Sequence, residues 1–295
     1  MSPAAESAHP VPAGAPAPGQ GGGPGAVRIA VLGLGEAGAE IARDLVAAGA
    51  DVRGYDPLGI VVEGVQARAS EAEAVADADL VLSVNSSHDA VPALDNALPG
   101  LRSGTVWADL NTAAPGVKAA LATRAASRGV SVVDVALMST VPGKGLRTPM
   151  LVAGDGALRY AHVLTGFGAQ VTVQDGPAGA AISRKLLRSV FYKGMAAAVV
   201  EALAAAEAAG CADWLRGDIG AELAGFDGSA VDVLVEGTHR HARRRADEMA
   251  AATEQLLELG VPARVAAAAR DLLAELRDAG SAEGGARIPS QATGH

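Results

Sequence analysis

The 295-residue chain carries 24 Lys and Arg against 33 Asp and Glu, a formal net charge of −9. That balance argues against a nucleic-acid binder, which usually needs a strong positive surface, and against adhesion to anionic membranes. Hydrophobic residues make up 49% and charged residues 19%, enough for a packed core, and the length suggests two domains of roughly 100–200 residues each.

Residues 1–25 are rich in Pro, Ala and Gly. They lack the basic start and apolar stretch of an export signal, and they cannot bury enough apolar surface to offset their ordering entropy, so disorder is expected. From Val27 the pattern becomes regular. The run 27–32 (VRIAVL) is a strand buried on both faces, 36–48 an amphipathic helix and 51–55 a second strand. Further strands are expected at 79–84, 105–110, 130–135, 150–153 and 170–173, with helices at 71–76, 89–98, 116–128 and 157–164 between them. Such alternation predicts an α/β Rossmann architecture, a doubly wound and mostly parallel sheet, over 26–176. After Gly176 the strand signal stops. Helices are expected at 178–209, 213–223, 229–259 (with a break) and 262–279, ending near Gly280, so 177–280 reads as an all-α C-terminal domain. Residues 281–295 resemble the N-terminal segment and are expected to be a disordered tail. No apolar run reaches the roughly 20 residues that span a bilayer, and the single cysteine, Cys211, points to a cytoplasmic protein.

The first strand runs directly into Gly33-Leu34-Gly35-Glu36-Ala37-Gly38, which opens the first helix, and the second strand ends at Asp56. That is the full context of a dinucleotide site. Gly33 allows the tight turn, Gly35 lets the backbone approach the pyrophosphate, Gly38 lets helix and strand pack, and the helix N-terminus faces the phosphates. A carboxylate at position 56 accepts from ribose hydroxyls and repels a 2′-phosphate. Arg53 points to the opposite face by strand alternation, so NAD is the expected cofactor, with NADP the alternative.

Lys185, Arg188, Ser189, Tyr192 and Lys193 share one face of the 178–209 helix. On periodicity alone such a polar stripe is more often solvated surface than a site. His239 and His241 at i, i+2 do not share a helix face and have no accompanying Cys or carboxylate cluster, so no metal is expected. Cys211 reads as a buried small residue.

The glycine turn with Asp56, Asn85 after the 79–84 strand, Asp109-Leu110-Asn111-Thr112 with Pro115, and Gly179 six residues before Lys185 together resemble the β-hydroxyacid dehydrogenase family, which includes 3-hydroxyisobutyrate and 6-phosphogluconate dehydrogenases. The likeness runs from Val27 to about position 200. The segment 241–249 looks like a divergent branch. The resemblance implies an NAD(P)-dependent oxidoreductase acting on a small hydroxy acid or related polar alcohol. It implies Lys185 as general acid/base, Ser189 beside it where the family has Asn, and Asn85 and Asn111 against the cofactor. It also implies a homodimer.

The family's substrate loop has its serine where Met138 stands here, with Ser139 and Thr140 following, so Ser139, Thr140, Arg188 and His241 are the candidate substrate contacts. Lys144 and Arg147 are either anchors or exposed loop residues, and His241 with Arg244 and Arg245 either closes over substrate or forms a solvated basic helix. An imine reductase-like enzyme on the same scaffold and a non-catalytic NAD-binding protein are the alternative readings.

Overall fold

The computed structural model describes residues 9–10 and 27–285; the remainder of the expected N-terminal and C-terminal disordered segments lies outside them. Among the described residues nine strands form one sheet: β1 (His9–Pro10), β2 (Arg28–Leu32), β3 (Asp51–Tyr55), β4 (Gln66–Ala67), β5 (Leu80–Ser83), β6 (Val106–Asp109), β7 (Ser131–Leu137), β8 (Met150–Ala153) and β9 (Val171–Val173). Their order is β1-β9-β8-β7-β6-β5-β2-β3-β4. Every pair is parallel except β1–β9 and β7–β8. The expected doubly wound, mostly parallel sheet is therefore what the chain forms.

Side-chain alternation divides the core into two layers. Ile29 and Val31 of β2 point to the face covered by α1 (Glu36–Ala47) and α5 (Ala157–Gly166). Ala30 and Leu32 point to the other face, under α2 (Glu71–Val75), α3 (Ala90–Ala97) and α4 (Pro115–Ala126). The chain runs from β2 outward through β3 and β4, then returns to β5 on the opposite side of β2. This reversal opens a crevice at the carboxyl ends of β2 and β5, the usual ligand position in such sheets.

Five helices follow: α6 (Ala180–Ala208), α7 (Ala212–Ala224), α8 (Ala230–Arg240), α9 (Ala242–Glu258) and α10 (Arg264–Gly285). The chain divides into two compact units, 1–188 and 189–295, with the division inside α6. The first turns of α6 belong to the sheet because Ala181 and Ile182 are buried against Ala136 and Ala153. In the second unit α10 packs along α9, and the Glu201 carboxylate accepts the Arg264, Val265 and Ala266 amides that open α10.

Several local features differ from expectation. His9 and Pro10, within the segment expected to lack structure, pair with β9 at the sheet edge, where proline's missing donor costs nothing. The short strand β4 carries too few residues to give a period. The expected break in the 229–259 helix falls at His241, and α10 runs on to Gly285 past the stop expected at Gly280. Cys211 is exposed at the start of α7, not buried. By length and composition α6 is apolar enough to cross a membrane, against the expectation that no segment is, and little of that stretch is buried within the chain. Its Ala-rich sequence lifts the mean hydropathy without a continuous run of large apolar residues.

Candidate active site

The glycine-rich turn is built as its residue types require. Gly33 has φ +89°, and a Cβ there would lie 2.4 Å from the Val84 carbonyl oxygen and 2.6 Å from Asn85 Oδ1. Only glycine lets the ends of β2 and β5 approach so closely. A Cβ on Gly38 would meet the Gly33 carbonyl at 1.9 Å, whereas nothing lies within 4 Å of the Cβ position on Gly35. The turn is therefore closed toward the protein and open at Gly35, the side from which a phosphate would approach. Leu34 is buried, while Glu36 and the half-buried Ala37 begin α1, whose first N–H groups have no intrahelical acceptor.

Asp56 follows β3. Its Oδ2 accepts the Leu34 amide at 2.7 Å and its Oδ1 the Leu58 amide at 2.9 Å. The carboxylate thus pins the glycine turn, a role that strand position alone did not foretell. Each oxygen retains further acceptor capacity. Arg53 turns away, as alternation requires, and donates to the Ala76 carbonyl.

Asn85 and Asn111 meet at one hydroxyl. Asn85 Nδ2 donates to Ser83 Oγ at 3.1 Å and Asn111 Nδ2 to the same atom at 3.3 Å. Asn111 also donates to Asp109 Oδ1, while its own Oδ1 is buried without a hydrogen-bond partner in the protein. A buried acceptor left open at the carboxyl end of β6 fits a ligand that brings a donor.

Lys185 Nζ donates to Thr112 Oγ1 at 3.0 Å. This joins the lysine-bearing helix to the loop after β6, next to Asn111. Ser189 is half-buried one turn further along α6. The geometry behind the lysine depends on Gly179, which has φ +110° and whose Cβ would stand 2.8 Å from the Pro115 carbonyl oxygen. Asp134 Oδ2 accepts the Gly179 and Ile182 amides at 3.0 and 2.8 Å, capping α6 at its N-terminus.

Two residues that sequence reasoning did not assign stand out. Thr112 accepts a hydrogen bond from Lys185. Lys118 of α4 is fully buried, with Nζ 2.7 Å from Asp109 Oδ2 and 3.3 Å from Asp134 Oδ1, and it donates to the Asp109 carbonyl at 2.7 Å. The signal was present, because Lys118 lies on the α4 face that buries Leu121 and Ala125. A cation on an apolar stripe demands a buried counter-charge.

The proposed substrate loop is held from several sides. Arg188 Nη1 donates to the Met138 carbonyl at 3.3 Å, and Lys144 Nζ to Ser139 Oγ at 3.1 Å. Ser139 Oγ donates to the carbonyl of the exposed Thr140 at 3.2 Å. Glu40 and Asp44 of α1 accept the Gly143 and Leu146 amides. Lys144 and Arg147 are exposed. His241 is exposed between α8 and α9 in the second unit, where Arg244 pairs with Glu248 and Arg245 donates to Thr238. No cluster of three or more His, Cys, Asp or Glu residues suited to a metal occurs among the described residues.

Residues 28–174 match the family model described as the NAD binding domain of 6-phosphogluconate dehydrogenase, and residues 206–276 match a domain of unknown function, DUF1932. A conserved hypothetical protein of solved structure from Sinorhizobium meliloti 1021 is 30% identical, over 89% of this chain and 91% of that one, with a TM-score of 0.57. A probable 3-hydroxyisobutyrate dehydrogenase from Mycobacterium bovis is 31% identical over 190 residues.

The chain belongs to the β-hydroxyacid dehydrogenase family.

The mycobacterial match covers 62% of this chain and 65% of that relative's length. An imine reductase from Myxococcus stipitatus, solved with NADP+, shares the fold at 19% identity with a TM-score of 0.75, over 86% of this chain and 95% of that one. The N-terminal unit of this β-hydroxyacid dehydrogenase family member is an NAD(P)-binding domain, and the open face at Gly35 and the unpaired Asn111 Oδ1 fit that cofactor.

Proposed function

We propose that the protein transfers hydride reversibly between NAD(P) and the carbinol carbon of a small hydroxy acid or related polar alcohol, with Lys185 as the general acid/base. The observation that carries this reading is the 3.0 Å contact between Lys185 Nζ and Thr112 Oγ1, which sets the amine beside Asn111 at the carboxyl end of β6. The bound nicotinamide supplies the hydride donor or acceptor. In reduction, Lys185 gives a proton to the carbonyl oxygen as its carbon gains hydride; in oxidation it takes the hydroxyl proton.

The turn 33–38 would hold the pyrophosphate, Asp56 the adenosine ribose, and Asn85 and Asn111 the nicotinamide half. Asp56 favours NAD over NADP, because a 2′-phosphate would bring a second negative charge against it. Ser139 and Thr140, with Arg188 holding the backbone of their loop, are the proposed substrate contacts. Ser189 supports Lys185 from the same helix.

An NAD(H)-linked screen of hydroxy acids, aldehydes and imines, run with wild type and Lys185→Ala, tests the proposal. Loss of turnover with NAD binding retained is expected; near-normal kcat in the variant overturns it. Lys185 argues against an imine reductase, but Met138, standing where the family has serine, leaves room for imine reduction as the second reading, and turnover of imines without turnover of hydroxy acids would select it.

We also propose a cytoplasmic homodimer built through the second unit. The support is that α7 and α8 bury no residue within the chain, while Val200, Trp214 and Val233 are each about two-thirds exposed (69%, 66% and 68%). Light scattering during size exclusion checks it, with a monomer mass as the contrary result.

A further inference from the structure

Asp109 and Asp134 are register partners on the adjacent parallel strands β6 and β7, and both are fully buried. Two carboxylates directly opposite one another repel, and water does not screen them there. Lys118 Nζ stands between them and donates as well to the Asp109 backbone carbonyl. The two carboxylates lead in different directions. Asp109 accepts from the Asn111 side-chain Nδ2, at the loop that presents Thr112. Asp134 takes the Gly179 and Ile182 amides, at the start of the helix that presents Lys185. Burial pushes the Asp109 carboxyl above the ordinary carboxylate range despite the Lys118 charge beside it, which marks how little solvent the cluster receives.

We infer that Lys118 is a positioning residue: its ammonium locks the loop after β6 and the first turn of α6 to each other through the Asp109–Asp134 pair, and so sets Lys185 against Thr112. The inference rests on the proposed role of Lys185 but concerns the geometry of the free protein. Without Lys118 the carboxylates separate or one takes up a proton, and the two sides of the site lose their common anchor. A hydrophobic residue fills the space of the lysine stem but supplies neither donor nor charge.

The test is made on the full chain without cofactor. The rate at which acetic anhydride acetylates Lys185 is read against Lys193 by mass spectrometry in wild type, Lys118→Met, Thr112→Val and the double variant. Lys118→Met and Thr112→Val should each raise Lys185 labelling, by about threefold or more, and the double variant should do no more than either alone, since both act through one contact. Hydrogen exchange at the Gly179 and Ile182 amides should accelerate about tenfold or more in Lys118→Met.

Asp134→Asn added to Lys118→Met should return both readings toward wild type, because the asparagine oxygen still caps α6 and its amide nitrogen donates where the ammonium stood. This pair also removes the excess buried charge, so it carries the test should Lys118→Met not fold. Leu121→Ala, a core loss on the same face of α4, should leave Lys185 labelling unchanged. Labelling unaltered in Lys118→Met, additive effects in the double variant, failure of the Asp134→Asn rescue, or an equal rise in Leu121→Ala would each overturn the inference. Because none of these readings needs turnover, they fail separately from the hydride-transfer proposal, which Lys185→Ala judges.

Discussion

Asp56 Oδ2 accepts the Leu34 amide across 2.7 Å, so the carboxylate after β3 fixes the conformation of the glycine-rich turn. Charged acceptors of backbone amides contribute more than neutral ones. Asp56→Ala should therefore weaken NADH binding by about tenfold or more, through a loosened turn as well as lost ribose contacts. It should weaken NADPH binding less, because the repulsion of the 2′-phosphate goes with the charge. Fluorescence titration with both dinucleotides measures the two constants; an unchanged ratio would remove Asp56 from cofactor discrimination.

The Thr112 hydroxyl accepts a hydrogen bond from Lys185. Thr112→Val preserves shape and removes the acceptor, so kcat should fall by about 10–100-fold while the NADH dissociation constant stays near wild type. Thr112→Ser keeps the hydroxyl and should retain most activity. Steady-state kinetics on the substrate found by the screen, with parallel NADH titration, separates the two effects.

Gly179 occupies a conformation that side chains resist, with the Pro115 carbonyl close behind it. Gly179→Ala should cost about 1–3 kcal/mol and displace the start of α6. Gly166, in the last turn of α5, has nothing within 4 Å of its Cβ position. Gly166→Ala should be neutral or stabilise by up to about 1 kcal/mol. Thermal melts of the two variants should thus move in opposite directions or differ by several degrees.

Glu201 gives the stability of the second unit a pH dependence. Burial works against its ionisation, but the Val265, Ala266 and Arg264 amides outweigh that and hold the carboxyl below the usual glutamate range. A folded value lower than the unfolded one means the stabilisation is complete above the ordinary glutamate value and is lost as pH falls through the depressed one. Glu201→Gln should lower Tm at pH 7, and the gap from wild type should close on acidification. A gap that holds constant down to pH 3 would show that charge plays no part in this cap.

Much of the architecture follows from local patterning. The period-two and near-continuous apolar runs defined β2, β3, β5, β6, β7, β8 and β9 because a strand buried on both faces has no polar side to display. The glycine turn was readable because Gly33, Gly35 and Gly38 each answer a steric need set within a few residues. Lys185 was readable as a candidate through its helix face and through the family order of Gly179 and Lys185. What tertiary structure decided is the set of long-range electrostatic pairings. Thr112 lies 73 positions from the lysine it receives, and Asp56 pins an amide 22 positions away. Asp109 and Asp134 become opposed only when β6 and β7 align, and Lys118 reaches both only when α4 lies across that pair. Periodicity reports which side of an element meets the core, since burial is a property of each residue and its near neighbours. It says nothing of which charge from another element arrives there, because that partner is selected by the packing of the whole sheet.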